Sequence, residues 1–216
     1  PHPLKVLAPE RAPKLILAHK DKLGLLRDLG VDIVAVQPFD LSFAKVEAEE
    51  FVRALLVERL KTRKIWVGKD FRFGRARKGG VDDLVRWGSE CGFEVAVVDP
   101  VLINGDRVSS SRIRALLAAG RVGDARTMLG RYHFVSGRVV EGHRRGKALG
   151  FPTANIASRT EVLPADGIYA TLFHRSAQTL LSVSSIGLNP TFGAGPRTVE
   201  SFIMSFDKNI YGEEVR

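Results

Sequence analysis

From Tyr132 onward the chain stops repeating its apolar residues at helical spacing, so one layer architecture cannot serve both sides of that change. Before it, short apolar runs alternate with amphipathic stretches. "VDIVAV" (Val31–Val36) is nearly continuous and is expected to be a strand covered on both faces. "EAEEFVRALLVERL" (Glu47–Leu60) places Phe51, Val52, Leu55, Leu56 and Leu60 on one helical face behind an acidic first turn. "KIWVG" (Lys64–Gly68) reads as a strand, Asp82 to Cys91 as a helix closed by Gly92, and "FEVAVV" (Phe93–Val98) as another strand. That alternation predicts a parallel α/β sheet with right-handed crossovers, which binds ligands at the carboxyl ends of its strands. Ser109 or Ser110 then caps a helix with Ile113, Leu116 and Leu117 on its apolar face, and a second short helix runs from Val122 to Leu129.

After the change, "HFVSGRVVEG", "TANI", "GIYATLFH", "LLSVSSIG", "RTVESFIMSFD" and "EEVR" are short extended runs separated by glycine, proline or aspartate. They predict an antiparallel barrel or sandwich. The boundary falls near Gly130–Tyr132, giving an α/β domain over 1–131 and an all-β domain over 132–216. The 216 residues suffice for two such cores.

No apolar run reaches the length of a membrane span and no signal peptide is visible. The single cysteine, Cys91, excludes an internal disulfide framework or a cysteine-based zinc cluster, and suits a reducing cytoplasm. A net charge of +9 favours anionic partners: nucleic acid, acidic membrane surface or phosphorylated small molecules. Two basic clusters, "GRARKGG" (Gly74–Gly80) and "GHRRGK" (Gly142–Lys147), carry glycines that let backbone approach a phosphate. The chain starts at Pro1 without a methionine and stops at Arg216 within an extended run, so both termini are expected to be incomplete.

Four segments hold residues suited to chemistry. In "VGKDFRFGRARKGG" (Val67–Gly80), Asp70 can accept hydrogen bonds from a sugar or base, and Phe71 and Phe73 can stack on a planar ring. A solvated loop with its phenylalanines in the core explains the same spacing. In "RVSSSRIR" (Arg107–Arg114), serine hydroxyls and backbone N–H groups at a helix start make an anion site, with Arg107 and Arg114 in reach. An N-capping serine with surface arginines is the plainer alternative. In "LGFPTANI" (Leu149–Ile156), Pro152 holds Phe151 extended, and Thr153 and Asn155 face the same way if they lie in a strand. A hydroxyl and a carboxamide are hard oxygen ligands of the kind Mg²⁺ shares with phosphates, although a backbone-bonded turn also uses Thr and Asn. Finally, alternation in "RTVESFIMSFD" sets Glu200 in line with Thr198, Phe202, Met204 and Phe206. Burial beside those apolar side chains would suit it as a proton acceptor, whereas a barrel-rim Glu would pair with Arg197 or a lysine. The five histidines lack metal-ligand spacing, and no Ser-His-Asp or Cys-His nucleophile motif is present.

"VGKDFRFGRARKGG", "RVSSSRIR", "GKALGFPTANI", "DGIYA", "GLNPTFG" and "VESFIMSFDKNIYGEEV" follow one another in an order that resembles the bacterial bifunctional FAD synthetases, over essentially the whole chain. The resemblance implies a Rossmann-like nucleotidyltransferase domain followed by a small antiparallel β-barrel kinase domain. It implies phosphorylation of riboflavin to FMN and adenylylation of FMN to FAD, with Mg²⁺ as cofactor, ATP as co-substrate and pyrophosphate released. Thr153 and Asn155 match the Mg–nucleotide ligands, Glu200 the general base, and Gly146, Lys147 and Pro152 the surrounding ATP site. Arg107, Ser110, Ser111 and Arg114 match the segment that holds ATP phosphates. Asp70 and Phe73 match flavin and adenine contacts, and His2 lies in a "PHP" segment near the flavin. The family's H-x-G-H signature is not in this sequence and is expected before Pro1. Riboflavin, FMN and ATP are the implied partners, in a cytoplasmic protein with no nucleic acid or membrane contact, and a homo-oligomer is allowed. The rival readings are riboflavin kinase alone, a basic two-domain nucleic-acid binder, or a flavin-storage protein.

Overall fold

The computed structural model describes residues 2–142, 151–188 and 197–216. In chain order the helices are α1 (Pro3–Leu7), α2 (His19–Asp28), α3 (Ala48–Glu50), α4 (Val81–Cys91), α5 (Ser110–Ala118) and α6 (Val122–Leu129). The strands are β1 (Lys64–Gly68), β2 (Glu94–Val98), β3 (Leu102–Ile103), β4 (Asp106–Arg107), β5 (Gly137–Val140), β6 (Thr153–Ser158), β7 (Gly167–Arg175), β8 (Gln178–Gly187), β9 (Thr198–Ile203) and β10 (Glu214–Val215). They form two compact units, one from 2–13 and 35–107, the other from 14–34 and 108–216. Among the described residues no helix is long and apolar enough to cross a membrane.

In the first unit β1 and β2 pair in parallel, from Lys64 opposite Glu94 to Gly68 opposite Val98. Val67 on β1 packs with Val52, Leu56, Leu84, Trp87 and Phe93. Gly92 closes α4 in the left-handed region at φ 79°, as the sequence predicts, and Asp83 caps its start by accepting from the Gly80 N–H at 3.0 Å. Two expectations change. The segment Val31–Val36 forms no strand and Ile33 is 85% exposed. A parallel strand exists only through its neighbour, and an apolar run alone does not reveal whether one is at hand. The helix expected over Glu47–Leu60 is α3 followed by a π-helix, Phe51–Arg59. Its wider i→i+5 turn, as in Leu60 N–H to the Leu55 carbonyl at 3.0 Å, carries Leu60 off the buried face that Val52 and Leu56 keep.

The second unit contains a closed antiparallel barrel of order β10-β5-β6-β9-β8-β7. Alternation decides which side chains enter it. Val139, Ala154, Phe173, Ile203 and Val215 point inward and pack with Ile210. On β8 the usual polarity is inverted: Ser182 and Ser184 are buried, while Leu181 and Val183 are exposed. The inward hydroxyls satisfy one another, with Thr171 to Ser182 at 2.7 Å, Thr171 to Ser184 at 2.8 Å and Ser184 to Ser201 at 2.7 Å. They line a cavity of about 490 Å³ together with Tyr169 and Phe173. The ladder between β7 and β8 is long, running from Gly167–Ile186 to Arg175–Gln178. At β10, which closes the ring, Glu214 faces Arg138, and Val215 faces Gly137 on one side and Arg175 on the other.

Helices α5 and α6 belong to this second unit, and Ile113, Leu116, Leu117, Ala125 and Val162 make its other apolar cluster. Between that cluster and the barrel lies His133. A carbonyl can only accept, so its Nε2 is the protonated nitrogen that donates to the Val162 carbonyl at 3.1 Å. Its Nδ1 is buried without a hydrogen-bond partner among the described residues. Burial, and secondarily the Arg131 charge, push the imidazole down to about 4. Between about 4 and the ordinary 6.5 the unfolded chain therefore binds a proton that the folded chain refuses, so stability rises with pH across that window. Urea unfolding should show stability falling from pH 6.5 toward 4, and His133→Gln should flatten that slope. An unchanged slope in the variant would show that His133 is not the group responsible.

Candidate active sites

In the first unit the carboxyl end of β1 runs into the loop Lys69–Gly80. Backbone bonds between Phe73 and Gly79, at 3.1 Å and 3.0 Å in the two directions, fold it back on itself. Gly74 is needed there. Its φ is +70°, and a Cβ would stand 2.6 Å from the Ala48 backbone. The turn leaves Arg75, Arg77 and Lys78 exposed. Phe73, expected at the ligand, is a core residue only 7% exposed, ringed by Phe71 at 5.4 Å, Phe51 at 5.5 Å and Trp87 at 6.3 Å. Phe71 is the partly exposed ring of the pair.

The structure joins Asp70 to Arg107: the guanidinium donates to the carboxylate at 2.8 Å, with both side chains more than half exposed. The Arg107 hydrogen bond is the main cause that holds Asp70 below the usual carboxylate range. His2, the other flavin candidate of this half, caps α1 by accepting from the Leu4 N–H at 3.1 Å. Ser110, Ser111 and Arg114 lie on α5 in the second unit. Ser109 is the cap and accepts from the Arg112 N–H at 3.3 Å, which leaves the Ser110 and Ser111 hydroxyls exposed on the first turn. Arg114 is held by its Nε, which donates to the Lys14 carbonyl at 2.7 Å.

On the barrel, three expected residues meet. β6 and β9 are antiparallel neighbours in a register that sets Asn155 opposite Glu200 and Thr153 opposite Phe202. The Thr153 hydroxyl donates to Glu200 at 3.4 Å. Glu200 is partly exposed, not buried. Its strand alternates Val199, Ser201 and Ile203 inward with Thr198, Glu200 and Phe202 outward, so the carboxylate stands on the barrel's outer face. Ring contact with Phe151, at 5.5 Å and edge to face, accounts for Phe202. Arg197, the pairing partner weighed for Glu200, instead binds Asp166. Pro152 is exposed beside Thr153. Gly142 presses on Asn155: a Cβ at that glycine would collide with the carboxamide. Gly146 and Lys147 lie outside the described residues, as does most of the "NPTFG" loop.

Sequence reasoning missed one neighbour. β8 flanks β9 on the side away from β6, and its register sets Ser185 opposite Glu200. The outward row thus reads Asn155, Glu200, Ser185 across three strands. Alternation in "LLSVSSIG" separates Ser185 from Ser182 and Ser184, but only the pairing shows which face holds Glu200. Hydroxyl, carboxamide and carboxylate all offer hard oxygen ligands, so the group fits a hard cation such as Mg²⁺ better than a soft metal. No cluster of three or more His, Cys, Asp or Glu capable of holding a metal occurs among the described residues.

A family model for FAD synthetase matches residues 1–112, and one for riboflavin kinase matches residues 129–216. Escherichia coli (strain K12) bifunctional riboflavin kinase/FMN adenylyltransferase is 35% identical over 217 residues, covering 100% of this chain and 69% of that protein. The Listeria monocytogenes protein of the same name is 35% identical, with 99% and 68% covered. A solved Streptococcus pneumoniae chain, described as a macrolide-efflux protein, superposes with a TM-score of 0.82 at 32% identity; the match spans 93% of this chain and 64% of that one. With both models matched in order and this identity along its whole length, the chain belongs to the bifunctional riboflavin kinase/FMN adenylyltransferase family and carries an FAD synthetase domain followed by a riboflavin kinase domain.

Proposed function

We propose that the protein makes FMN from riboflavin and ATP at the Thr153–Asn155–Glu200 site, and FAD from FMN and ATP in its other half. In functional terms the halves divide at 1–131 and 132–216. The observation that carries the kinase assignment is the β6–β9 register, which sets a hydroxyl, a carboxamide and a carboxylate side by side on one open face. Thr153 and Asn155 would hold Mg²⁺, which when bound neutralises charge on the nucleotide phosphates. Gly142 supports this by leaving backbone, with no side chain, against the Asn155 carboxamide.

Glu200 takes the proton of the ribityl 5′-hydroxyl. The hydroxyl oxygen bonds to the γ-phosphorus as the bond to the bridging oxygen breaks, and ADP leaves. A partly exposed carboxylate suits this step, because it can reach the acceptor and then return its proton to solvent. The Thr153 hydroxyl, already donating to it, keeps the carboxylate turned toward the metal ligands. Phosphoryl transfer depends mostly on positioning and charge stabilisation, so these parts suffice.

In the adenylyl half, an FMN phosphate oxygen attacks the α-phosphorus of ATP and pyrophosphate departs. We assign Ser110, Ser111 and Arg114 at the start of α5 to the phosphates, a use supported by the helix's N-terminal N–H groups and dipole. Arg107 is assigned to phosphate and Asp70 to the flavin or adenine. Their mutual ion pair is exposed and so easily exchanged for ligand. Phe73 shapes this loop from the core, and the neighbouring Phe71 offers the accessible ring.

Glu200→Gln should lower FMN formation by a factor of about 10² or more, with ATP binding retained. Chromatographic separation of the flavins and calorimetric titration of ATP check both points; normal turnover would remove Glu200 as the base. Arg114→Ala should impair conversion of FMN to FAD while sparing FMN formation. Equal loss of both would overturn the division of labour.

A further inference from the structure

We infer that Ser185 is the acceptor-side residue of the kinase site, its hydroxyl binding the ribityl chain of riboflavin as the chain approaches Glu200. This rests on the kinase reading above and gives the site a direction. Three strands carry the outward row: Asn155 on β6, Glu200 on β9 and Ser185 on β8, with each pair directly opposite in register. The β6 side holds the oxygen ligands suited to a metal that carries phosphate, Thr153 and Asn155, and Gly142 lies against Asn155. In-line transfer needs the acceptor oxygen across from the leaving group, so the acceptor enters from the side of Glu200 that the nucleotide leaves open. That side is β8.

Spacing agrees. Two strand separations put Asn155 and Ser185 on the order of 10 Å apart, room for a metal-bound phosphoryl group and one hydroxyl above Glu200. Ser185 is exposed, and its hydroxyl can both donate and accept, which matches the alcohol groups of a ribityl chain. Beyond it the same outer face turns apolar and open: Ile168, opposite Ser185, is 76% exposed, and Val183 and Leu181 are 36% and 63% exposed. A flavin is a polar chain on a flat, largely apolar ring. This face offers the two textures in that order, moving away from Glu200.

The test is steady-state kinetics of the full chain and its Ser185→Ala and Ser185→Thr variants, with riboflavin and ATP varied separately. Lumiflavin, which has the ring without the ribityl chain, serves as a competing probe. Ser185→Ala should raise the KM for riboflavin roughly five- to tenfold, as expected for one lost hydrogen bond. The KM for ATP and the inhibition constant of lumiflavin should stay within twofold. Ser185→Thr, which restores a hydroxyl, should bring the riboflavin KM back within twofold of wild type. An unchanged riboflavin KM in an active Ser185→Ala enzyme overturns the inference and leaves the kinase reading standing. Equal rises for riboflavin and ATP, or a matching rise for lumiflavin, also overturn it, because the residue would then support the site as a whole or the ring. A wild-type chain that makes no FMN overturns the kinase reading, and this inference with it.

Discussion

Pairing between β6 and β9 fixes the chemistry of the barrel. Side chains alternate across a strand, so sliding β9 by one residue would exchange its two faces. Glu200 would then enter a cavity walled by serine hydroxyls and aromatic rings, while Val199 and Ser201 would meet solvent. What opposes the slip is the inward set: Val139, Ala154 and Ile203 close one apolar cluster, and Ser201 bonds to Ser184 at 2.7 Å. The hydroxyl chain adds little net stability, since each bond replaces one with water. It adds direction instead, because a displaced strand would leave buried hydroxyls without partners. The position of the carboxylate thus follows from contacts on the opposite side of its own strand.

The first unit solves a different problem, that of presenting cations in pairs that a ligand can displace. Much of its surface charge is tied up in exposed pairs such as Arg53 with Glu49 and Glu90, Lys64 with Glu94, and Arg75 with Glu47. Such pairs are worth little to the fold and yield readily to a better partner. The loop after β1 remains ordered by means that use no charge: one left-handed glycine against Ala48, one backbone bridge and a buried phenylalanine. Rigid backbone with exchangeable side-chain pairing is a suitable arrangement for meeting phosphates.

Much of this was legible in the sequence because the signals are local. Gly92 and Gly130 end their helices in the left-handed region, Ser109 caps α5, and the apolar face of α5 is buried where periodicity sets it. The change of texture at Tyr132 is followed by the first barrel strand at Gly137. The errors are non-local. Val31–Val36 has the composition of a strand but lacks a pairing neighbour among the described residues. Glu200 was set correctly in line with Phe202, yet alternation names two faces without saying which one is inside. That depends on β6 and β8. Ser185 escaped notice for the same reason, since its relation to Glu200 exists only in the register. Phe73 and Phe71 were equivalent as spacing and were separated by a backbone bridge that the sequence does not announce.

The closed order of the barrel has a dynamic side. β9 bonds to β6 along one edge and to β8 along the other, and β8 is itself held by a long ladder to β7. Local opening begins where cooperative bonding is thinnest, so the amides of β9 should be among the last in the barrel to exchange. The strand that carries the carboxylate is thus gripped from both sides, and the reacting groups hold their spacing while the wall breathes elsewhere.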